Sequence, residues 1–203
     1  MTNIITISRQ FGSGGREIGK KLAEKLGYDY YDKQIITDIV SKTELASSFV
    51  EGVLEGKIKD SLVYASENSF DMALSYQSME IADIHKAQTQ TIEEMAAKGN
   101  CVIVGRCADY ILKDKPDINL TRLYIYAPMD VRVERCIKRE KENENYTPKQ
   151  MAKEIKKIDK DREHYYSIYT GNDWGDIENF DFCVNTASMD MDAIVDGLAK
   201  IAE

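Results

Sequence analysis

Residues Arg9–Glu17 contain the side chains and spacing that most directly indicate a chemistry. They combine three glycines with two arginines, between a β-branched run at Asn3–Ser8 and a helical pattern of Ile18, Leu22 and Leu26. A glycine-rich turn between a strand and a helix lets successive backbone N–H groups point inward, and the helix adds the positive end of its dipole. The segment therefore predicts a site for an anion, above all a phosphate.

The same segment departs from the P-loop pattern G-x-x-x-x-G-K-[ST]. In that pattern a lysine after the last glycine reaches the β- and γ-phosphates, and the hydroxyl that follows it binds Mg²⁺. Here Gly14 takes the place of the last glycine, Gly15 that of the lysine and Arg9 that of the first glycine. Arg16 is the one cation inside the turn and is our candidate to replace the lysine. The alternative is a turn that only packs a helix on a sheet, with Arg16 and Glu17 in solvent.

Several strand patterns, each with a helical pattern after it, must position this turn. We predict strands over Asn3–Ser8, Tyr28–Tyr31, Cys101–Gly105, Arg122–Ala127 and Phe180–Asn185. Gly27 is the expected end of the first helix, Thr147 with Pro148 the start of a later one, and Ser188 the cap of the last. Strands that alternate with helices indicate an α/β fold with a five-stranded, mostly parallel sheet, whose ligands bind at the carboxyl ends of the strands.

The interval 33–98 stands apart from this alternation. It has no proline, and its two glycines are Gly52 and Gly56, so helices fit it better than strands. It is too long for a connection inside a compact domain. We therefore expect one domain, 1–203, with a helical insert on the ligand edge of the sheet. The charged run 138–145 is predicted to be an exposed helix end.

Composition and charge narrow the choice of partners. The 203 residues are 43% hydrophobic and 31% charged, as in an ordinary globular domain, and carry a net charge of −8. This balance argues against nucleic acid or an anionic membrane as a partner, and no apolar run approaches the length of a membrane span. Without a C-x-x-C pair, the four cysteines predict reduced thiols rather than disulfides or a zinc site. We expect a cytoplasmic protein that binds small molecules.

Four segments add a more specific indication through their order along the chain. They are ISRQFGSGGREIGKKLAEKLG, YDYYDKQII, VIVGRCADYIL, and APMDVRVERCIKR together with IDKDREHY. In this order they resemble the P-loop nucleoside monophosphate kinases, most closely the cytidylate kinase-like proteins. The resemblance implies a P-loop kinase-like three-layer sandwich in which the insert 33–98 binds the acceptor and a lid at 142–172 closes over the phosphates. It also implies transfer of a phosphoryl group from ATP, with Mg²⁺, to a nucleoside monophosphate. The expected acceptor is CMP or dCMP.

The resemblance assigns roles to particular positions. ATP is bound by Gly12, Ser13, Gly14, Gly15, Arg16, Glu17 and Arg135. Positive charge for catalysis comes from Arg16, Arg139, Lys160 and Arg162. The acceptor is bound by Asp32, Arg106 and Cys107, and Glu17 stands where the Mg²⁺ ligand is found. For each of the arginines, a salt-bridged or solvated surface residue is the alternative.

The chemistry supports two of these assignments independently of the resemblance. Arg106 directly follows a strand, and a guanidinium there can bind two oxygens of a monophosphate at once. Arg135 and Arg139 are four residues apart and share one helix face.

Departures from the family pattern leave alternatives open. A loop without its lysine is expected to lose a contact worth about 10²–10³ in rate. Cys107 replaces an acid that contacts the base in the family, so the choice of acceptor is not fixed. A kinase of another small anionic acceptor and a catalytically weak nucleotide-binding or regulatory protein are therefore the two alternatives. The insert is also a candidate surface for a homodimer.

Overall fold

The strands form one parallel sheet in the order β2-β3-β1-β4-β5. The computed structural model describes residues 1–58, 71–139 and 146–202. The strands are β1 (Thr2–Arg9), β2 (Asp29–Tyr31), β3 (Cys101–Val104), β4 (Ile118–Tyr126) and β5 (Phe182–Asn185). All five predicted strands are present, with β4 beginning earlier, at Ile118. Because every pairing is parallel, the carboxyl ends of the strands lie at one edge.

Helices follow each strand and make up most of the described part of the interval 33–98, which was expected to be helical. They are α1 (Gly15–Leu26), α2 (Gln34–Thr43), α3 (Ser47–Leu54), α4 (Asp71–Lys98), α5 (Ala108–Leu112), α6 (Met129–Arg139), α7 (Pro148–Thr170) and α8 (Met191–Ala202). Gly27 ends α1 at a φ of 68°, and Thr147 caps α7, both as predicted. The prediction for Ser188 is wrong. Asp190 caps α8 instead, since its carboxylate accepts from the N–H groups of Asp192 and Ala193.

The sheet carries a helical layer on each face, which gives the three-layer sandwich. On one face, Ile18 of α1 and Leu198 of α8 pack with Ile7 of β1. On the other, Ile39 of α2 and Ile92 of α4 pack with β1 and β3. Successive residues of β1 alternate between these two clusters, as the two-residue period of a strand requires.

The described part of the interval 33–98 consists of α2, α3 and α4, while 59–70 lie outside the described residues. Its helical character is confirmed. Ile84 and Met95 of α4 are buried in the same cluster as Ile4 of β1. The described helices of this interval therefore contribute to one helical layer of the domain.

Helix α7, which covers most of the predicted lid, is held at both ends. Near its start, Met151 and Ile155 pack against α6. Near its end, the Tyr165 hydroxyl donates to Gln88 of α4 and the Tyr166 hydroxyl to Asp109 of α5, both at 2.7 Å. Residues 140–145, which include the start of the predicted lid and most of the charged run, lie outside the described residues.

None of the described helices has the length and apolarity needed to cross a bilayer.

The burial of Asp109 predicts a pH dependence of folding. Asp109 is 4% exposed, and its burial raises its pKa above the usual 3.8. The folded protein therefore holds this proton more tightly than the unfolded chain, so Asp109 lowers the free energy of unfolding as the pH rises from about 4 through the raised pKa. Asp109→Asn keeps an acceptor for Tyr166 but does not titrate. We expect its stability relative to the wild type to increase with pH in urea unfolding at pH 4, 5.5 and 7, whereas parallel pH curves would contradict the assignment.

Candidate active site

The peptide planes of the glycine-rich loop are fixed from outside by side chains that donate to its carbonyl oxygens. Because C=O and the next N–H point in opposite directions in a trans peptide, the outward Ser13 carbonyl turns the Gly14 N–H inward. The donors come from α6 and from the segment after β5. The pairs are Arg132 with the Phe11 oxygen at 3.3 Å, Arg135 with the Gly12 oxygen at 3.1 Å, and Thr186 with the Ser13 oxygen at 2.6 Å.

The glycines of the loop are required by both conformation and packing. Gly12 and Gly14 have φ values of 77° and 90°, and a Cβ on Gly12 would lie 2.8 Å from the Cys136 sulfur. In the described part of the chain, the N–H groups of Gly14, Gly15 and Arg16 have no acceptor. With the α1 dipole behind them, these donors form the anion-binding geometry that the sequence predicts.

A cavity of about 690 Å³, open solvent included, lies beside this loop at the carboxyl ends of β1 and β3; we call it the central cavity. Five basic side chains line it against two acidic ones, in a chain of net charge −8. The basic residues are Arg9, Arg16, Lys57, Arg106 and Arg162, and the acidic residues are Glu55 and Asp161. Positive charge is thus concentrated where a parallel sheet binds its ligands.

Arg16 and Asp32 lie where the central cavity meets a second space, the outer cavity, between α1, α2 and α3. The Arg16 guanidinium is 2.5 Å from the Asp32 carboxylate, which is also 3.8 Å from Arg9. Burial and the Asp32 charge raise the pKa of the neighbouring Tyr30 to about 12, so this hydroxyl stays protonated and can donate to the Arg16 carbonyl. Arg16 therefore points toward the predicted acceptor side.

The turn after β3 holds Arg106 in an unusual backbone conformation. Gly105, Arg106 and Cys107 have successive φ values of 77°, 58° and 53°, all in the left-handed region. For a residue other than glycine this costs about 1–3 kcal/mol and marks a position fixed by its surroundings. The side chain of Arg106 donates to the Leu54 carbonyl at 2.6 Å and lies 3.8 Å from Glu55. It is thereby aimed into both cavities.

Three predicted donor-side residues lie on the other side of the loop. Arg135 donates to Gly12 and Thr186, and burial together with the nearby Arg139 lowers its pKa. Arg139 forms an ion pair with Glu17, which is also 3.7 Å from Lys21. Glu17 therefore bridges α1 and α6. Among the described residues, no group of three acidic, histidine or cysteine side chains is arranged to hold a metal.

The two predicted cations of α7 have different environments. Arg162 lines the central cavity, donates to the Arg9 carbonyl at 3.1 Å and lies 5.5 Å from the Phe11 ring. Lys160 is exposed and forms no ion pair with any described residue. Cys107 reaches the central cavity, but burial and then the Asp109 charge raise the pKa of its thiol.

Sequence reasoning missed several residues at this site. Asp159 accepts from the Phe11 N–H at 2.7 Å and pairs with Arg132, so α7 is tied to the loop. Trp174 and Tyr165 line the central cavity, and nothing in their sequence context distinguishes them from core aromatics. Arg9 could have been found, because it ends a buried strand in the same way as Arg106.

Comparisons with known proteins bear on the family and the fold of the chain. The sequence profile of the cytidylate kinase-like family matches residues 4–188. A cytidylate kinase of Methanocaldococcus jannaschii is 29% identical over 63% of this chain and 72% of its own. The crystal structure of an uncharacterized protein from Eubacterium ventriosum is 29% identical, with a TM-score of 0.68 over 98% of this chain and 97% of its own. Shikimate kinase from Bacteroides thetaiotaomicron shares the fold, with a TM-score of 0.56 at 14% identity over 99% and 98% of the two chains.

Arg162 lines the central cavity, whereas Lys160 is exposed, so we expect the loss of each side chain to affect anion binding differently. Pyrophosphate in the central cavity should raise the melting temperature of the wild type, because binding to the folded state alone stabilises it. Arg162→Met removes a mostly buried cation of the cavity, so we expect it to weaken pyrophosphate binding by about tenfold or more. Lys160→Met, on the same helix, should change it less than threefold. Equal losses in a thermal-shift titration of the two variants would contradict the placement of Arg162.

Proposed function

The chain belongs to the cytidylate kinase-like family, and from this membership we propose that it transfers a phosphoryl group from ATP to a nucleoside monophosphate, CMP or dCMP first. The observation that carries the proposal is the cationic central cavity directly beside the glycine-rich loop. Phosphoryl transfer requires little covalent chemistry from the protein. It requires positive charge around the donor, the transferred group and the acceptor, together with their alignment.

In this proposal, the loop and α1 hold the donor. The inward N–H groups of Gly14, Gly15 and Arg16 bind phosphate oxygens of ATP, while Arg135 keeps the loop in shape through the Gly12 carbonyl. Arg162 reaches the transferred group from α7. Arg106 binds the phosphate of the acceptor, because its side chain faces both cavities and is oriented by the Leu54 carbonyl.

Mg²⁺ supplies bridging positive charge on the donor phosphates when it is bound. Its usual partners are one or two carboxylates, phosphate oxygens and water. Glu17 is the carboxylate proposed to hold it, in exchange for the ion pair with Arg139. Arg139 then becomes available to the phosphates.

We assign acceptor binding to the interval 33–98 and closure to the lid at 142–172. The two approach each other in the described structure, because a Cβ on Gly56 would overlap the Asp161 carbonyl of α7. The outer cavity, of about 840 Å³ with open solvent included, lies between α1, α2 and α3 and contains Asp32. A homodimer through the insert and a cytoplasmic location remain predictions.

Cys107 favours a second candidate, a kinase of another small anionic acceptor. Its thiol is neutral because burial raises its pKa, so it is only a weak acceptor for the amino group of a cytosine. The anionic group of the acceptor would still bind to Arg106. The two candidates therefore differ in the group that is attached to the phosphate of the acceptor.

The experiment that tests the proposal is ADP release from Mg-ATP with CMP, dCMP, UMP, AMP and GMP. We expect turnover with one or two pyrimidine monophosphates. Arg106→Met removes a charged hydrogen bond to the acceptor phosphate, so it should raise the acceptor KM by about 10–100-fold. It should change the KM for ATP much less.

Arg122→Met is the matched control, because Arg122 also lies on the strand layer but pairs with Asp181 outside both cavities. Its acceptor KM should equal that of the wild type. ATP turnover only with a different anionic acceptor would favour the second candidate. ATP binding without turnover on any acceptor would instead indicate a binding protein.

A further inference from the structure

Positions 9 and 15 have exchanged the residue types that the P-loop pattern places there. The pattern has glycine at the first position and lysine at the second, whereas this chain has Arg9 and Gly15. In the structure the two positions are in contact. A Cβ on Gly15 would lie 2.7 Å from the Cβ of Arg9 and 3.1 Å from its Cγ. The Arg9 side chain thus occupies the space that a side chain at position 15 would enter.

The rest of the Arg9 side chain crosses the carboxyl edge of the sheet from β1 to β3. Its guanidinium lies over Gly105, where an added Cβ would overlap the Arg9 Nη1. The glycines at 15 and 105 thus leave open the space along which this side chain runs.

The surroundings of the Arg9 guanidinium leave its charge incompletely neutralised. It is 14% exposed, lines the central cavity, and has one carboxylate nearby, that of Asp32 at 3.8 Å. It donates no hydrogen bond to any residue in the described ranges. Burial lowers the pKa of Arg9, and the charges of Arg162 and Arg106 lower it further. A guanidinium has five donors, and here they face a cavity with an excess of positive charge.

Arg16 is less suited to replace the P-loop lysine than the sequence indicates. Its side chain is 55% exposed and directed to Asp32 at 2.5 Å, so it is partly neutralised and open to water. Arg9 is more deeply buried and farther from the same carboxylate. A buried cation interacts more strongly with an anion than an exposed one does, because water screens it less.

We propose that Arg9 is the cation that binds the transferred phosphoryl group, in place of a lysine at position 15, and that Gly15 and Gly105 make room for it. The inference rests on the proposed function in naming that group as the ligand. It follows that the cation has moved from the first turn of α1 to the end of β1. The central cavity then receives the transferred phosphoryl group between the loop and Arg106.

Restoring the P-loop residues at positions 9 and 15 tests whether Arg9 replaces the lysine. Arg9→Gly should lower kcat/KM by about 10²–10³, the usual effect of removing one preorganised donor. Gly15→Lys alone should also lower it, since the new side chain meets Arg9. The double variant Arg9→Gly/Gly15→Lys recreates G-x-x-x-x-G-K and should recover at least tenfold over Arg9→Gly. A double variant no better than Arg9→Gly, with a wild-type melting temperature, would overturn the exchange.

Gly105→Ala tests the position of the guanidinium without removing it. The added Cβ displaces Arg9, so we expect the activity to fall as in Arg9→Gly, and no further loss when both changes are combined. Gly27→Ala is the control for backbone strain, because Gly27 has a similar φ of 68° and open space around it. It should lower stability to a similar extent and leave kcat/KM unchanged. Equal activity of Gly105→Ala and Gly27→Ala would contradict the inference.

Binding of pyrophosphate separates this inference from the proposed function. If the wild type binds pyrophosphate and Arg9→Met loses it by tenfold or more while Arg122→Met retains it, Arg9 is an anion-binding residue even if no acceptor is turned over. If Arg9→Met binds as tightly as the wild type, the inference is wrong whatever the activity. A wild type that binds no pyrophosphate would overturn it as well.

Discussion

Repulsion among like charges at the carboxyl ends of β1 and β3 is the constraint on which this structure depends. Two guanidiniums about 6 Å apart repel by about 3 kcal/mol at an effective dielectric constant near 20. The central cavity contains four arginines and a lysine, and burial removes part of their hydration. The fold offsets this through Asp32, Glu55, Asp161 and two backbone carbonyls. The offset is partial, so the charge of the cavity favours an anion.

The groups that offset this charge also connect the elements of the fold. Arg162 joins α7 to the end of β1 through the Arg9 carbonyl, and Arg106 joins β3 to α3 through the Leu54 carbonyl. On the other side of the loop, Arg132 and Asp159 join α6, α7 and Phe11. Arg106 and Arg162 thus both contribute charge to the site and fix a helix against the sheet. A change of ligand at these guanidiniums is expected to be transmitted to α3 and α7.

Local patterns in the sequence were sufficient to predict the strands, the glycine loop and the family. A run of β-branched residues before a glycine turn has a clear period, and Gly27 and Thr147 are caps that act within one turn of a helix. The cap of α8 was misplaced because Ser188 and Asp190 are both good caps, and only the start of the helix distinguishes them. The layer formed by α4 depends on contacts between distant residues, such as Met95 with β1, which no short window contains.

At the candidate site, too, local patterns could be predicted from the sequence, and contacts between distant residues could not. The family pattern indicates the positions of Arg106 and Arg162, and both side chains line the central cavity, while their roles stay predictions. Arg9 was assigned to a glycine position and then not considered, since its contact with Gly15 is visible only when β1 and α1 are placed together. Lys160 and Arg162 are two residues apart on a helix, so they cannot face the same way. The sequence identified the charged segment of α7, but not which of its cations turns inward.

The arrangement of the two cavities accounts for how donor and acceptor could be kept apart and still react. Arg16, Glu55 and Arg106 line both of them, so these side chains form the boundary between the central and the outer cavity. An acceptor in the outer cavity would present its phosphate at this boundary, and a donor on the loop would approach it from the other side. Two anions can come this close only if cations lie between them. Arg16 and Arg106 lie at this boundary, and the ion pair with Asp32 holds the Arg16 side chain there.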